Sequence, residues 1–412
     1  MDRRAGIETV SDGKPTGRRR RLLMVLIVGV LILLASGGWV YYHVYMSTGA
    51  AIQRAESLFF RRMQVTRVDD QGAYRFFFVT NRRQENDGGD IERQFSNERE
   101  AELKFGYFDS TIEPDLGLGI IFNPDLWFQT EQTRIHEAGL MESPEFIEKL
   151  TGFVRSSPRR SLLVVVHGFR EEFPSALHKT AFLGHQLDID TPVLVFDWPG
   201  NQGSTLRGYR RARRVATESG RELARLIGLI VEEVRPKKLW LMANSMGAQV
   251  VSDAFSILYR EAEFADSETE IEDVILSAPD VGQEDFDDNF KPKIKALAKD
   301  LTVYVSSNDR ALVMSRLVNR ERRRGESTLG ADHVEEAVRI AEFIEPDSER
   351  VTLVDVTPVN RTRNFHNFSL ETPEFFDDVY LRLTNSSTPR SRSLYSTRTP
   401  EGKVYWVITG SR

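Results

Sequence analysis

Apolar and polar positions follow three rhythms along the chain. In the first, residues 22–45 are nearly all apolar and contain no Asp, Glu, Lys or Arg; His43 is their only ionisable member. Such a run can cross the roughly 30 Å hydrocarbon layer as one helix. Arg18, Arg19, Arg20 and Arg21 stand before it, and Trp39, Tyr41, Tyr42 and Tyr45 gather at its far end as an aromatic belt would. The pattern predicts a retained single-pass anchor in the cytoplasmic (inner) membrane, N-terminus inside and the large domain on the extracytoplasmic side. The bilayer is then a partner through residues 22–45. A cleaved signal peptide, with Ala35, Ser36, Gly37 and Gly38 as the processing site, is the competing reading.

The second rhythm is irregular. RFFFVT (75–80) is a strand candidate, 81–98 a long polar loop, and 101–107 and 116–122 further short strands. Within 123–160 only a helical patch near 144–151 stands out. The third rhythm begins at residue 161. Compact apolar strands at 162–166, 193–196, 239–242, 274–276, 301–305 and 351–354 alternate with helical stretches at 220–234, 246–259 and 334–343. Buried, non-alternating strands separated by helices predict an α/β fold: a mostly parallel sheet with helices on both faces. A helix near 373–381, a Ser/Thr/Arg-rich loop at 385–399 and a last strand at 404–408 complete the chain.

Composition narrows the chemistry. A net charge of −6 and the absence of any zinc-finger, RNA-binding or basic-zipper pattern argue against nucleic acid. With no cysteine, disulfides, thiolate nucleophiles and cysteine-ligated metals are excluded. No metal cluster, Walker loop or dinucleotide fingerprint is present, so no cofactor is expected.

The phrase LWLMANSMG (239–247) runs a strand directly into Ser245 and then into a helix, the setting of a nucleophile elbow. Small residues flank the serine at Ala243 and Gly247, where larger side chains are expected to clash across the turn. Backbone N–H groups at a helix N-terminus can receive an oxyanion. Ser245 as a plain N-cap is the bland alternative. HGFR (167–170), directly after LLVVV, has the position of an oxyanion loop. It offers the Phe169 N–H, with that of Met246 as the second donor. His167 then orients the loop, although a role as general base is a further possibility.

A serine needs a base, and the base a carboxylate. Of the two histidines after Ser245, His333 lies in a charged stretch and His366 in a loop after strand 351–354, where a catalytic histidine belongs. Asp309, Asp280 and Asp355 compete as the acid. The strand end before the histidine-bearing unit favours Asp309. Asp280 suits a bond to backbone near the site, and Asp355 a structural role.

The phrases RFFFVTNRR, VVVHGFR, VLVFDWPG, ANSMGAQV, VILSAPDV, VYVSSNDRALVMS and DVT…FHNF occur in order over roughly residues 70–370. Together they resemble a bacterial α/β-hydrolase family of formerly unknown function in the esterase/lipase superfamily. The resemblance implies an α/β-hydrolase fold and a triad of Ser245, Asp309 and His366. Ala243 stands where the usual elbow has glycine, and Asn244 where such relatives usually have histidine. The expected division is 1–21 cytoplasmic basic tail, 22–45 anchor, 46–69 juxtamembrane segment and 70–412 hydrolase domain.

Around the pocket, Trp198 either lines it or packs its loop, and Phe365 and Phe368 offer an apolar wall. Residues 207–214 hold five arginines, read either as a solvated helix start paired to Glu218 and Glu222 or as a contact for anionic headgroups. The expected activity is hydrolysis of an ester-containing small molecule or lipid. An acyltransferase with the same triad and a catalytically silent envelope scaffold are the alternatives.

Overall fold

The computed structural model describes residues 16–45, 62–69, 72–85, 88–112, 133–260, 271–281, 290–306, 351–360, 368–385, 389–392, 394–398 and 404–409. The described elements fall into two units: α1 in one, and everything from Arg62 onward in the other.

Helix α1 (Thr16–Tyr45) forms where the apolar run predicts a helix. The expectation that it spans a bilayer is overturned: among the described residues no helix is long and apolar enough to cross a membrane. The single-pass topology, the inner-membrane location and the bilayer as a partner through residues 22–45 all rested on that span and fall with it.

The second unit begins with a staple. The Arg62 and Met63 N–H groups donate to the Asp188 carboxylate at 3.0 Å each, and those of Gln64 and Val65 to Asp190 at 2.8 Å each. Residues expected beside a membrane therefore belong to the hydrolase body. Then follow β1 (Tyr74–Gln84), β2 (Phe95–Ile112), β3 (Thr133–Met141), α2 (Ser143–Ser156), β4 (Ser161–Val166), α3 (Phe173–Leu187) and β5 (Val193–Asp197). Next come α4 (Leu206–Leu229), β6 (Lys238–Asn244), α5 (Gly247–Leu258), β7 (Ile271–Ser277), α6 (Lys291–Leu297) and β8 (Ala298–Val305). The chain closes with β9 (Val351–Asp355), α7 (Phe368–Glu371), α8 (Pro373–Asn385), β10 (Tyr395–Arg398) and β11 (Val404–Val407).

One eleven-stranded sheet results, in the order β10-β11-β9-β8-β7-β6-β4-β5-β1-β2-β3. Its centre is parallel from β1 to β11, but β1–β2, β2–β3 and β10–β11 are antiparallel pairs. The sheet is thus mixed, which corrects the expectation of a mostly parallel one. The margins are consecutive strands that need no helical crossover, so they can pair antiparallel. The expected loop at 81–98 is partly strand for the same reason. Helices cover both faces as expected. Leu162, Val164 and Val166 share one core with Phe146, Leu223 and Val251, while Leu163 and Val165 share the other with Leu177, Phe376 and Val379. Period-two geometry divides one apolar strand between two layers.

Two helices depart from the sequence reading. Helix α3 was hidden because polar residues, Thr180 and His185, are buried in it. Helix α4 starts at Leu206, well before 220, under the cap of the Thr205 hydroxyl on the Gly208 N–H (3.1 Å). Its arginine-rich turns are good helix formers. The expected elements at 116–122 and 334–343 lie outside the described residues.

From β4 the chain goes to β5 on one side and then crosses to β6 on the other. Strand order reverses there, which opens a crevice beyond the carboxyl ends of β4 and β6. HGFR ends one of these strands and Ser245 follows the other.

Candidate active site

Ser245 sits in the left-handed region, φ 51°, between the end of β6 and the start of α5. A non-glycine residue holds that conformation only when its surroundings enforce it. Here the Ser245 N–H donates to the Ser277 carbonyl at 2.9 Å, and the Ser245 carbonyl accepts from the N–H groups of Ala248 and Asp280 at 3.0 Å each. The turn is thus bonded on both sides.

Glycines let β4 and its loop approach this turn. A Cβ on Gly168 would lie 2.9 Å from Ser245 Cβ, and one on Gly247 would lie 2.5 Å from the Val166 carbonyl oxygen. The constraint on Gly247 therefore comes from β4, not from Ala243 across the turn. Gly247→Ala should destabilise the fold by about 1–3 kcal/mol, because the obstacle is rigid backbone; equal urea midpoints would disprove this.

Among the described residues, neither the Phe169 nor the Met246 N–H makes a hydrogen bond. One lies just after Gly168 and the other just after Ser245, so two unengaged donors flank the nucleophile candidate. Phe169 packs edge-on against Tyr209, with ring centres 5.6 Å apart.

His167 lies beneath this loop. Its Nε2 is 2.8 Å from Thr180 Oγ1, whose own proton goes to the Ala176 carbonyl, so Nε2 carries the hydrogen. Burial drives the His167 pKa down to about 4. A neutral ring bonded through Nε2 to Thr180 fits an orienting role. Trp198 donates its indole N–H to the His167 carbonyl at 2.8 Å and is buried in the core. It packs the loop, as the second of its two readings had it.

Asn244 donates its side-chain amide to Ser277 Oγ at 3.1 Å and to Ser369 Oγ at 2.9 Å. Asp280 accepts from the Tyr209 hydroxyl at 2.7 Å, besides its backbone bond to Ser245. Phe368 is wholly buried against Phe375. Asp355 accepts from the Thr357 N–H at 2.8 Å, a turn-forming role. Asp309, Phe365 and His366 lie outside the described residues, as does His333.

Arg82 was not singled out from the sequence. It is fully buried and grips Asp197 through Nε and Nη2 at 2.7 and 3.1 Å. Its Nη2 also donates to the carbonyls of Glu171 and Trp198, at 2.8 and 2.9 Å. One guanidinium thus ties β1 to the loops after β4 and β5. The signal was a polar TNR continuing an apolar strand, where a solvated end was assumed. Glu222 was also misread: Arg99 of β2 takes it at 2.9 Å, not the arginine run beside it. Exposed Arg207, Arg211 and Arg214 make no ion pair among the described residues.

Residues 143–379 match the family described as alpha/beta hydrolase of unknown function (DUF900). The chain belongs to that family. The matched stretch of this DUF900 member contains Ser245, Asp309 and His366, while Arg82 and β1 to β3 precede it. Among solved structures, a presumed cell surface hydrolase from Lactobacillus plantarum is similar over 57% of this chain and 96% of its own, at 12% identity and a TM-score of 0.33. No curated protein matches.

The neutral His167 gives the DUF900 member a pH signature. The folded pKa, about 4, lies below the unfolded value near 6.5. Between them the unfolded chain binds the proton and the folded one does not, so stability falls as pH drops from 6.5 to 4. The full difference is about 3 kcal/mol. His167→Asn should flatten that part of the stability curve, measured by urea unfolding at pH 4.5, 5.5 and 7. An unchanged slope would rule His167 out as its source.

Proposed function

We propose that this protein is a serine hydrolase of carboxylic esters acting through an acyl-enzyme on Ser245. One observation carries the reading. Ser245 is held at φ 51° on the strand–turn–helix at the sheet's switch point, the conformation that presents a nucleophile. His366 takes the hydroxyl proton as Ser245 Oγ attacks the ester carbonyl, and Asp309 holds the resulting imidazolium. The N–H groups of Phe169 and Met246 receive the oxyanion. As the C–O bond breaks, His366 returns the proton to the departing alcohol. Water, activated by His366, then frees the acid from Ser245.

The test is covalent labelling with a fluorophosphonate followed by peptide mapping. The adduct is expected on Ser245 alone, and label on another residue, or none at all, would refute the assignment.

A further inference from the structure

We infer that Tyr209 is a positioning residue: through Asp280, its phenol locks the loop carrying Phe169 to the turn carrying Ser245. The inference rests on the proposed function, which needs those two pieces fixed relative to each other.

Tyr209 stands on the first turn of α4, outside both loops. Thr205 fixes that turn: its hydroxyl takes the Gly208 N–H at 3.1 Å, and its carbonyl takes the Tyr209 N–H at 2.9 Å. The Tyr209 hydroxyl donates to Asp280 Oδ2 at 2.7 Å. Asp280 is buried in the loop after β7, and its own N–H donates to the Ser245 carbonyl at 3.0 Å. One residue thus accepts from the phenol and braces the nucleophile turn. The backbone before it is set for this contact. Ala278 is left-handed, φ 45°, and gives its N–H to the Tyr304 carbonyl at 2.9 Å. The ring of Pro279 then restricts the next φ.

The ring of Tyr209 meets the loop after β4. Phe169 packs against it edge to face, with centres 5.6 Å apart and planes at 85°. From the other side, that loop is tied to the loop after β5. The Arg170 N–H donates to the Gly200 carbonyl at 3.0 Å, and a Cβ on Gly200 would lie 2.7 Å from the Gly168 carbonyl oxygen. The Phe169 loop is therefore held by backbone toward β5 and by the Tyr209 ring toward α4. An edge-to-face contact tolerates a wide range of ring separations, roughly 4.5–7 Å. It fixes Phe169 only if the tyrosine ring is itself fixed. The phenol's hydrogen bond, with its narrow length range, does that.

Acyl transfer is sensitive to such a lock. An oxyanion donor serves only when it lies about 2.7–3.1 Å from the developing charge, and losing one lowers kcat by about 10²- to 10³-fold. A donor displaced but still present should cost less, about 10- to 100-fold. The bond to the oxyanion exists only in the transition state, so the loss belongs in kcat and not in KM.

The experiment uses the full chain with Tyr209→Phe, Asp280→Ala, Asp280→Asn, and Tyr209→Phe combined with Asp280→Ala. Each is read by kcat and KM for a short p-nitrophenyl ester, by the rate of fluorophosphonate labelling and by the urea midpoint. Tyr209→Phe removes one oxygen and keeps the ring on Phe169. It should lose about 10- to 100-fold in kcat and in labelling rate, with KM within about twofold and a urea midpoint close to the parent's. Asp280→Ala should lose a similar amount. The combined variant should be no worse than the more damaged single one, because both changes remove the same bond. Asp280→Asn keeps an oxygen to accept the phenol proton and should lose less than Asp280→Ala.

Full activity in Tyr209→Phe, a loss confined to KM, or losses that multiply in the combined variant would overturn the inference. A loss of about 10⁴-fold in Asp280→Asn would overturn it too, since that marks a carboxylate acting on a catalytic base. Ser245→Ala in the same assay separates the two levels: retained activity there sinks the proposed function, whereas loss there with a fully active Tyr209→Phe sinks only the positioning role.

Discussion

Ser245→Ala should lower kcat for a p-nitrophenyl ester by about 10⁴-fold or more while leaving the melting temperature within a few degrees. The size of the loss follows from removing the atom on which the acyl-enzyme forms; only oxyanion binding and substrate positioning would remain. The stability expectation follows from the turn. Its bonds to Ser277, Ala248 and Asp280 use the Ser245 backbone, which alanine keeps. Serine and alanine both carry a Cβ, so the strain at φ 51° is the same in each. Steady-state kinetics and a thermal melt on the same sample decide it. Activity above about 1% of the parent, with the variant folded, would be incompatible with a serine mechanism.

Arg82→Leu should destabilise the body by about 3–5 kcal/mol, the range for breaking a buried ion pair by removing one partner. Asp197 would keep the Thr80 hydroxyl, 2.7 Å away, but lose both guanidinium bonds. The Glu171 and Trp198 carbonyls would lose their donor, and Asn97 Oδ1 its 2.5 Å contact. Those carbonyls border the loop that carries Phe169, so activity should fall with stability. Urea unfolding monitored by tryptophan fluorescence measures the first effect. Replacing Asp197 with leucine as well should restore part of the loss, because the orphaned charge is then gone. A single-variant cost under about 1 kcal/mol would mean that the pair adds little beyond its hydrogen bonds.

The parallel centre was legible from the sequence because strands buried on both faces leave a continuous apolar run, as SLLVVV does. The strand–turn–helix around Ser245 was legible because small residues mark a crowded turn, although the backbone that crowds Gly247 belongs to β4 and not to the turn itself. What escaped has one common cause: polar side chains buried through partners distant in sequence. Thr180 and His185 interrupt the apolar face of α3, so no helix was read there, and Arg82 made the end of β1 read as loop. Glu222 was paired on paper with arginines on its own helix, but its partner comes from β2. Local pattern carries no record of such pairs. The long apolar run at 22–45 failed in the opposite way. Apolar character alone was taken as a measure of span, and among the described residues no helix is both long and apolar enough to cross a membrane.

The four backbone bonds from residues 62–65 to Asp188 and Asp190 decide where the chain can be shortened. A truncated protein beginning before Arg62 retains every one of them. One beginning after Val65 strips two carboxylates of their donors at the mouth of the turn between α3 and β5, in a place where Asp188 already holds a left-handed backbone. Residue 62, rather than the first predicted strand, is thus the natural left-hand boundary of the smallest piece that keeps its own edges satisfied.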